Sequence, residues 1–448
     1  MPHLPQTPRL WPLLWPLFVE LALGMAVGVV ATALAARVSD TAAGAFALAN
    51  HVQITLFLLF RIVGAGIGVV LTQALGAGQR EAARSLALAA LGASSRIGLL
   101  CTLIVLLAAE PLLRLMNAPA EALPLALPFL QVLAPALLLD AWNASMAGVM
   151  RAHLRARDAL AVLVAMNALQ LVLALLLMPK FGLVGFALAV LASRLLALAL
   201  HATLWRARLG LRPALADWWR WRRAEVAAMM HIGLPGAGEN LGWRLSFMVS
   251  VAVVAGMGTQ QLAAHAYAYQ VLHFLLLSSL AIGLSMEIVI GHLVGAGRLH
   301  EADRRLRRAM RLAFGSAFVA ALAAALAGPW LMRQFSSDER IVALGAQLLW
   351  LAVLLEPGRA FNLVVINALR ASGDARYPLY VGIGSQALVL AGGSWLLGAW
   401  FGLFGVFVAY VADEWIRGLL MWRRWLRRDW LAHARAARRR VRAMGTPA

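Results

Sequence analysis

Two carboxylates sit where a carboxylate is costly. Glu20 ends Pro16-Leu17-Phe18-Val19-Glu20 and Glu239 ends Pro235-Gly236-Ala237-Gly238-Glu239, each inside an apolar run long enough to cross a bilayer. A charge at that depth costs about 3 kcal/mol or more unless it is paired or hydrated, so such acids are expected to carry or sense a proton or a cation. The competing readings are an ion pair with Arg61 or Arg244, or a cap on the bend after the proline. Glu20 also shares a helix face with Gly24 and Gly28, which let another helix or water come close. Glu356 is a third candidate: Pro357 frees backbone carbonyls beside it, and a local hinge with Glu356 paired to Arg359 is the alternative.

A second set could hold an organic molecule. Asn50, Gln53, Phe57 and Gly64 recur on one helical face, and Tyr269 falls at the position equivalent to Asn50, with Tyr267, Gln270 and His273 nearby. Amides and rings together suit a cavity for amphiphilic cations, so Asn50, Gln53, Tyr267 and Tyr269 are its candidate lining. Hydrogen bonding between helices is the alternative. Catalytic motifs are lacking: there is no HExxH, CxxC or Walker lysine, and Lys180 is the only lysine. The single cysteine, Cys101, lies in an apolar run and reads as a core residue, and Gly64-Ala65-Gly66-Ile67-Gly68 reads as helix packing. No enzyme and no organic cofactor is expected. The coupling ion would be H⁺ or Na⁺, the latter placing a metal at Glu20 or Glu239.

The elements that position these residues come in two copies. Differences of 235 − 16 and 239 − 20 both give 219, and the same offset pairs Gly76-Ala77-Gly78 with Gly295-Ala296-Gly297, Asn143 with Asn362 and Arg151-Ala152 with Arg370-Ala371. Phe181-Gly182-Leu183-Val184-Gly185 answers Phe401-Gly402-Leu403-Phe404-Gly405 one residue later. A chain of 448 residues that is 62% hydrophobic and 13% charged has too much apolar surface for a water-soluble core. A span needs about 20 apolar residues. Twelve runs fit, approximately 12–36, 45–73, 86–113, 123–149, 159–179, 183–205, 227–257, 263–294, 309–331, 341–369, 378–399 and 401–422.

The expected fold is an all-α membrane protein of twelve transmembrane helices in two six-helix repeats. An even number of spans per repeat makes the two parallel. The expected division is an N-terminus at 1–11, a first lobe at 12–205, a linker at 206–226, a second lobe at 227–422 and a basic tail at 423–448. The loops on one side hold only Arg37, Arg114, Lys180, Arg333 and Arg340, whereas the N-terminus, the other loops, the linker and the tail hold most of the 40 basic residues. Both termini are therefore expected in the cytoplasm, with the first helix retained. The linker, with Trp218, Trp219 and Trp221 among its arginines, reads as lying on headgroups, and the tail as a membrane-surface anchor with no nucleic-acid role.

The doubled Pro-x-x-x-Glu, the Gly-Ala-Gly after helices 2 and 8, Leu369-Arg370-Ala371-Ser372-Gly373-Asp374-Ala375-Arg376-Tyr377-Pro378 after helix 10 and the paired Phe-Gly-Leu-x-Gly resemble the multidrug and toxic compound extrusion (MATE) family, from about Pro12 to Trp425. The resemblance implies a secondary antiporter of the inner membrane, a monomer exporting cationic, lipophilic compounds by alternating access around a central cavity. It maps the family's acids of helices 1 and 7 onto Glu20 and Glu239 and leaves Glu356 as the candidate in helix 10. The first half departs from the pattern, with His153-Leu154-Arg155 where Ser372-Gly373-Asp374 stand in the second. The alternatives are a lipid-linked saccharide flippase of the same superfamily and a membrane enzyme or assembly protein that transports nothing.

Overall fold

The computed structural model describes residues 8–444, apart from the side chains of residue 54 and residues 57–63, so Phe57 and Arg61 lie outside the described residues. The first half comprises α1 (Trp11–Val38), α2 (Asp40–Gly76), α3 (Arg80–Leu115), α4 (Leu123–Ala152) and α5 (Ala156–Leu204). A linker with a π turn at Trp205–Leu209 and a 3₁₀ turn at Leu215–Trp218 leads into the second half. That half comprises α6 (Arg223–Ala255), α7 (Thr259–Ala296), α8 (Leu299–Leu326), the short α9 (Gly328–Arg333), α10 (Glu339–Ala371), α11 (Arg376–Ser385), a π turn at Gln386–Gly392 and α12 (Gly393–Leu426). A last helix, α13 (Trp430–Met444), follows α12. Among the described residues there is no strand. That is what a bilayer demands, because hydrocarbon offers no partner to an unpaired backbone group.

The twelve expected spans are present, two pairs of them joined end to end. Ala156–Leu209 and Arg376–Leu426 run to 54 and 51 residues, twice what a crossing needs. Each is broken by a glycine in the left-handed half of conformational space, Gly182 at φ 55°, ψ −136° and Gly402 at φ 59°, ψ −145°. Only glycine adopts that combination freely. Three residues on, a Cβ at Gly185 would lie 2.5 Å from the Leu177 carbonyl oxygen, and one at Gly405 would strike the Leu397 carbonyl, its counterpart. The repeated Phe-Gly-Leu-x-Gly is thus a hairpin in which the first glycine reverses the chain and the second lets the two helices meet.

The chain packs as two compact units, one of Trp15–Leu75 with Gln79–Gly233 and the other of the residues from Leu234 onward with Gly76–Gly78 and the residues up to Leu14. In one, small residues such as Ala35, Ala45, Ala126 and Ala187 bring the helices close around Phe46, Phe129 and Phe186. In the other, α10 packs against α7, α8 and α12, with Leu272, Leu355, Phe407 and Tyr410 in the core. In the linker, Trp218 and Trp219 set their rings edge-on to Trp142 of α4, and Arg96 lies over Trp221 at 4.8 Å. α3 and α4 thus offer ring and guanidinium partners to indoles of which Trp219 and Trp221 stay exposed.

The turn after α4 carries the signature of its more regular twin. Gly373 has φ 94°, and Leu154, its equivalent at the 219 offset, is held at φ 62°. A side chain in that conformation costs about 1–2 kcal/mol. Leu154→Gly is expected to stabilise the protein by about 1 kcal/mol, read as a rise in the thermal unfolding midpoint of the detergent-solubilised chain. An unchanged or lower midpoint would mean that the leucine's contacts outweigh the backbone cost.

Candidate functional site

Each half pairs its acid with the same arginine of the repeat. Arg151 Nη1 donates to Glu20 Oε1 at 2.8 Å, and Arg370 Nη2 donates to Glu239 Oε2; in both cases the arginine follows the acid by 131 residues. Arg244 is exposed, and the proposed partner of Glu239 is corrected accordingly. Geometry explains the choice. Gly236 leaves room for the Arg370 guanidinium about 3.6 Å from where its Cβ would be, and a Cβ at Gly382 of α11 would lie 2.7 Å from Glu239 Cγ, so glycines on both sides admit the pair.

Beyond that pair the halves diverge. In the first, Arg194 of α5 bonds Asp140 of α4 through Nε at 3.1 Å and reaches Gln170 through Nη1, while Asn143 Nδ2 donates to the Arg194 carbonyl at 3.0 Å. In the second, Asp140-Ala141-Trp142-Asn143 is answered by Arg359-Ala360-Phe361-Asn362, and Arg194 by Glu414. Arg359 Nε lies 3.5 Å from Glu414 Oε1, and Asn362 Nδ2 donates to Glu414 Oε2 at 2.8 Å. The two halves hold equivalent ion pairs of opposite polarity.

The second half extends its pair into a network. Arg359 Nη1 donates to Glu356 Oε1 at 2.8 Å. Arg417, 4% exposed, bonds Asp413 at 2.7 Å and Glu414 at 3.0 Å through Nη2, and its Nη1 stands 3.9 Å from Glu239. Ser385 Oγ, at the end of α11, donates to the other oxygen of Asp413 at 2.6 Å. Contacts therefore run without a break from Arg370 through Glu239, Arg417, Asp413, Glu414 and Arg359 to Glu356, linking α6, α10 and α12. Four carboxylates meet three guanidiniums. Glu356 is fully buried, and its Oε2 has no hydrogen-bond partner. Beside the network, Gln386 opens the π turn, 1% exposed, with neither amide atom bonded.

Of the expected cavity residues, Tyr267 stacks on Phe335 with ring centroids 5.4 Å apart, whereas Tyr269 packs at 4.6 Å on Phe247 and parallel to His265. Two residues apart on one helix, they point to different neighbours, and the structure does not bring them together. Phe247 also stacks on Trp243 at 5.2 Å, so half-buried Trp243, Phe247 and Tyr269 form one aromatic face. Asn50 and Gln53 are half-buried in α2, and Gln53 is the one polar side chain of a small cavity lined by Val52, Val105, Leu130, Leu133, Ala134 and Leu137. Sequence reasoning passed over Trp243 and Phe247, which lack a repeat partner, and over Arg370 as a partner for Glu239, although its doubled spacing pointed to it. Among the described residues, no group of three or more His, Cys, Asp or Glu side chains is placed to hold a metal ion.

Residues 16–176 and 235–396 each match the family model described as MatE. The uncharacterised transporter YisQ of Bacillus subtilis is 30% identical over 412 residues, covering 89% of this chain and 90% of that protein. The multidrug resistance protein PmpM of Pseudomonas aeruginosa is 25% identical over 370 residues, 78% of this chain and 76% of its own length. Among solved structures, the Vibrio cholerae MATE transporter VcmN in its bent form superposes with a TM-score of 0.84 at 20% identity, over 97% of each chain. With the doubled acid-arginine pairs falling inside the two matched segments, the chain belongs to the MatE family, a multi-pass membrane transporter of small molecules and not an enzyme.

Proposed function

We propose that the protein is a proton-coupled antiporter that exports cationic, amphiphilic organic compounds by alternating access, with the charge network of the second half as its coupling site. The observation that carries this reading is the surplus carboxylate. Four acids linked to three arginines leave one negative charge in a water-poor interior, which a bound proton or cation must balance. Glu356 Oε2, buried and unbonded, is where a proton has room to add. A proton is favoured over Na⁺ because each acid already faces a guanidinium, leaving no cage of free oxygens.

Glu239 is the point at which the state of the network reaches α6. Its two arginines come from α10 and α12, so a change in its charge alters what holds three helices together. In the first half, Glu20 with Arg151 and Asp140 with Arg194 form pairs that balance. Glu20 then serves as a sensor or strut and not as the main carrier. The aromatic face of Trp243, Phe247 and Tyr269 would supply rings for the apolar body and positive charge of a substrate, and Asn50 and Gln53, within the first half, would offer hydrogen-bond partners of their own. The names of its relatives, PmpM and several NorM proteins described as multidrug resistance proteins, agree with drug export. The protein would act as a monomer in the inner membrane with both termini in the cytoplasm.

The test is uptake of fluorescent cationic dyes into inverted membrane vesicles under an imposed pH gradient or an imposed Na⁺ gradient. Dye accumulation with acid inside and none with Na⁺ alone is the expected result. Accumulation driven only by Na⁺ would replace the proton, and no movement of several unlike dyes under either gradient would remove drug export in favour of the flippase.

A further inference from the structure

Helix α13 is a built surface element. Trp430, Ala434, Ala437 and Val441 are its buried residues, at spacings of four, three and four along one face. Trp430 stacks on Trp425 with centroids 4.0 Å apart and planes 9° apart, and Trp425 Nε1 donates to Asp303 of α8 at 2.8 Å. Ala437 lies against Gly373, where an added Cβ would come within 3.3 Å, and the Arg438 guanidinium lies on Gly297. Asp374, in the turn after α10, receives Arg424 at 2.5 Å and has His433 at 3.9 Å. The apolar stripe is therefore spent on the protein itself, across the turns that follow α7 and α10.

The opposite face is strongly cationic. Ala432, Arg435, Arg439 and Arg442 are exposed at spacings of three, four and three, with Arg440 exposed beside them, and among the described residues none of these four arginines is in an ion pair. Two features fix what they can reach. α12, a membrane span, ends at Leu426 and α13 begins at Trp430, so only three residues separate the arginines' helix from the bilayer. A 15-residue helix is about 22 Å long, so every guanidinium on it stays near the membrane boundary. The imbalance of basic residues puts this end of the protein on the side where anionic lipid creates a negative surface potential.

We infer that the exposed arginine face of α13, formed by Arg435, Arg439, Arg440 and Arg442, is a docking surface for the headgroups of anionic phospholipids, which it gathers around the second half. The apolar face fixes the helix and the cationic face selects the lipid, a division of labour that a helix buried by its apolar side in the bilayer lacks. RNA is a weaker match because no aromatic side chain interleaves the exposed arginines to stack a base.

The test uses the full chain in nanodiscs with a fluorophore on Ala432→Cys, a position on the arginine face; Cys101, the native cysteine, is buried. Quenching by nitroxide-headgroup phosphatidylglycerol is compared with quenching by phosphatidylcholine bearing the same nitroxide. The anionic lipid is expected to quench several-fold more, with the excess shrinking as salt is raised. Arg435→Gln/Arg439→Gln/Arg440→Gln/Arg442→Gln, which leaves the buried Trp430, Ala434, Ala437 and Val441 that hold the helix in place, should bring the two lipids to parity, and Arg435→Gln/Arg439→Gln alone should fall between. Equal quenching by both lipids with the arginines intact would overturn the inference, as would an undiminished preference in the fourfold variant. Loss of the preference on adding a short RNA, at a concentration where polyphosphate of equal charge leaves it intact, would assign the face to nucleic acid instead.

Discussion

Glu239→Gln is expected to lower gradient-driven dye transport by at least about tenfold while leaving the protein folded, because it removes one charged hydrogen bond worth about 1.5–3 kcal/mol and, with it, the surplus charge. Three carboxylates would then face three guanidiniums. With the network balanced there is no proton to bind or release, and the two gradients lose their grip on the helices. Glu356→Gln should act in the same direction. Glu20→Gln leaves the second half untouched and should slow transport less, since its partner Arg151 is itself partly exposed, at 23%. The discriminating measurement is the initial rate of dye uptake in inverted vesicles for the three variants at matched protein levels. Full loss in Glu20→Gln with normal rates in Glu239→Gln would move the coupling site to the first half.

The largest effect on stability is expected from Arg417. Its Nε and Nη2 both bond Asp413, Nη2 also meets Glu414, and Nη1 reaches toward Glu239, all within a side chain that is almost wholly buried. Arg417→Gln takes the only guanidinium from Asp413 and one of two from Glu414 and Glu239. Removing one partner of a buried pair costs about 3–5 kcal/mol, and here the lost cation serves more than one acid. Arg417→Lys keeps the charge but not the fork and is expected to recover only a small part. The control is Arg244→Gln, at an exposed position in α6. Thermal unfolding in detergent should place Arg417→Gln and Arg417→Lys well below the native chain and Arg244→Gln beside it; a native-like midpoint for Arg417→Lys would show that charge alone, without geometry, holds the network.

Much of this was legible in the residues. Apolar run length and the doubled offset lead to twelve spans and two repeats, and the repeat pairs Glu20 with Glu239 and Arg151 with Arg370. What periodicity along one chain cannot show is which side chains meet across helices. Arg244 looked like a partner because it lies in a span, but Arg370 won from the end of α10, where glycines open a path to Glu239. Asp413 and Glu414, which no repeated motif marks, are the middle of the network. The tyrosines of α7 looked like one group because they are close in sequence, and the helical period sends them apart. The tail is basic by composition, but the four residues that hold α13 on the protein, one tryptophan, two alanines and a valine, are too few to stand out in a sequence dominated by alanine and arginine.

The reversed polarity of the Asp140–Arg194 and Arg359–Glu414 pairs also constrains how the second copy arose from the first. If both halves descend from one unit, two substitutions separate them at this place, and either charge reversal made alone would have set like charges face to face about 3 Å apart in a poorly solvated interior. The descent therefore ran through an uncharged partner or a simultaneous exchange. Once it was complete, the halves were no longer equivalent, because a chain assembled from two first halves would carry four balanced pairs and no spare acid. The asymmetry to which we assign coupling is thus a product of divergence after duplication, at a site where the ancestral unit needed only that two opposite charges meet.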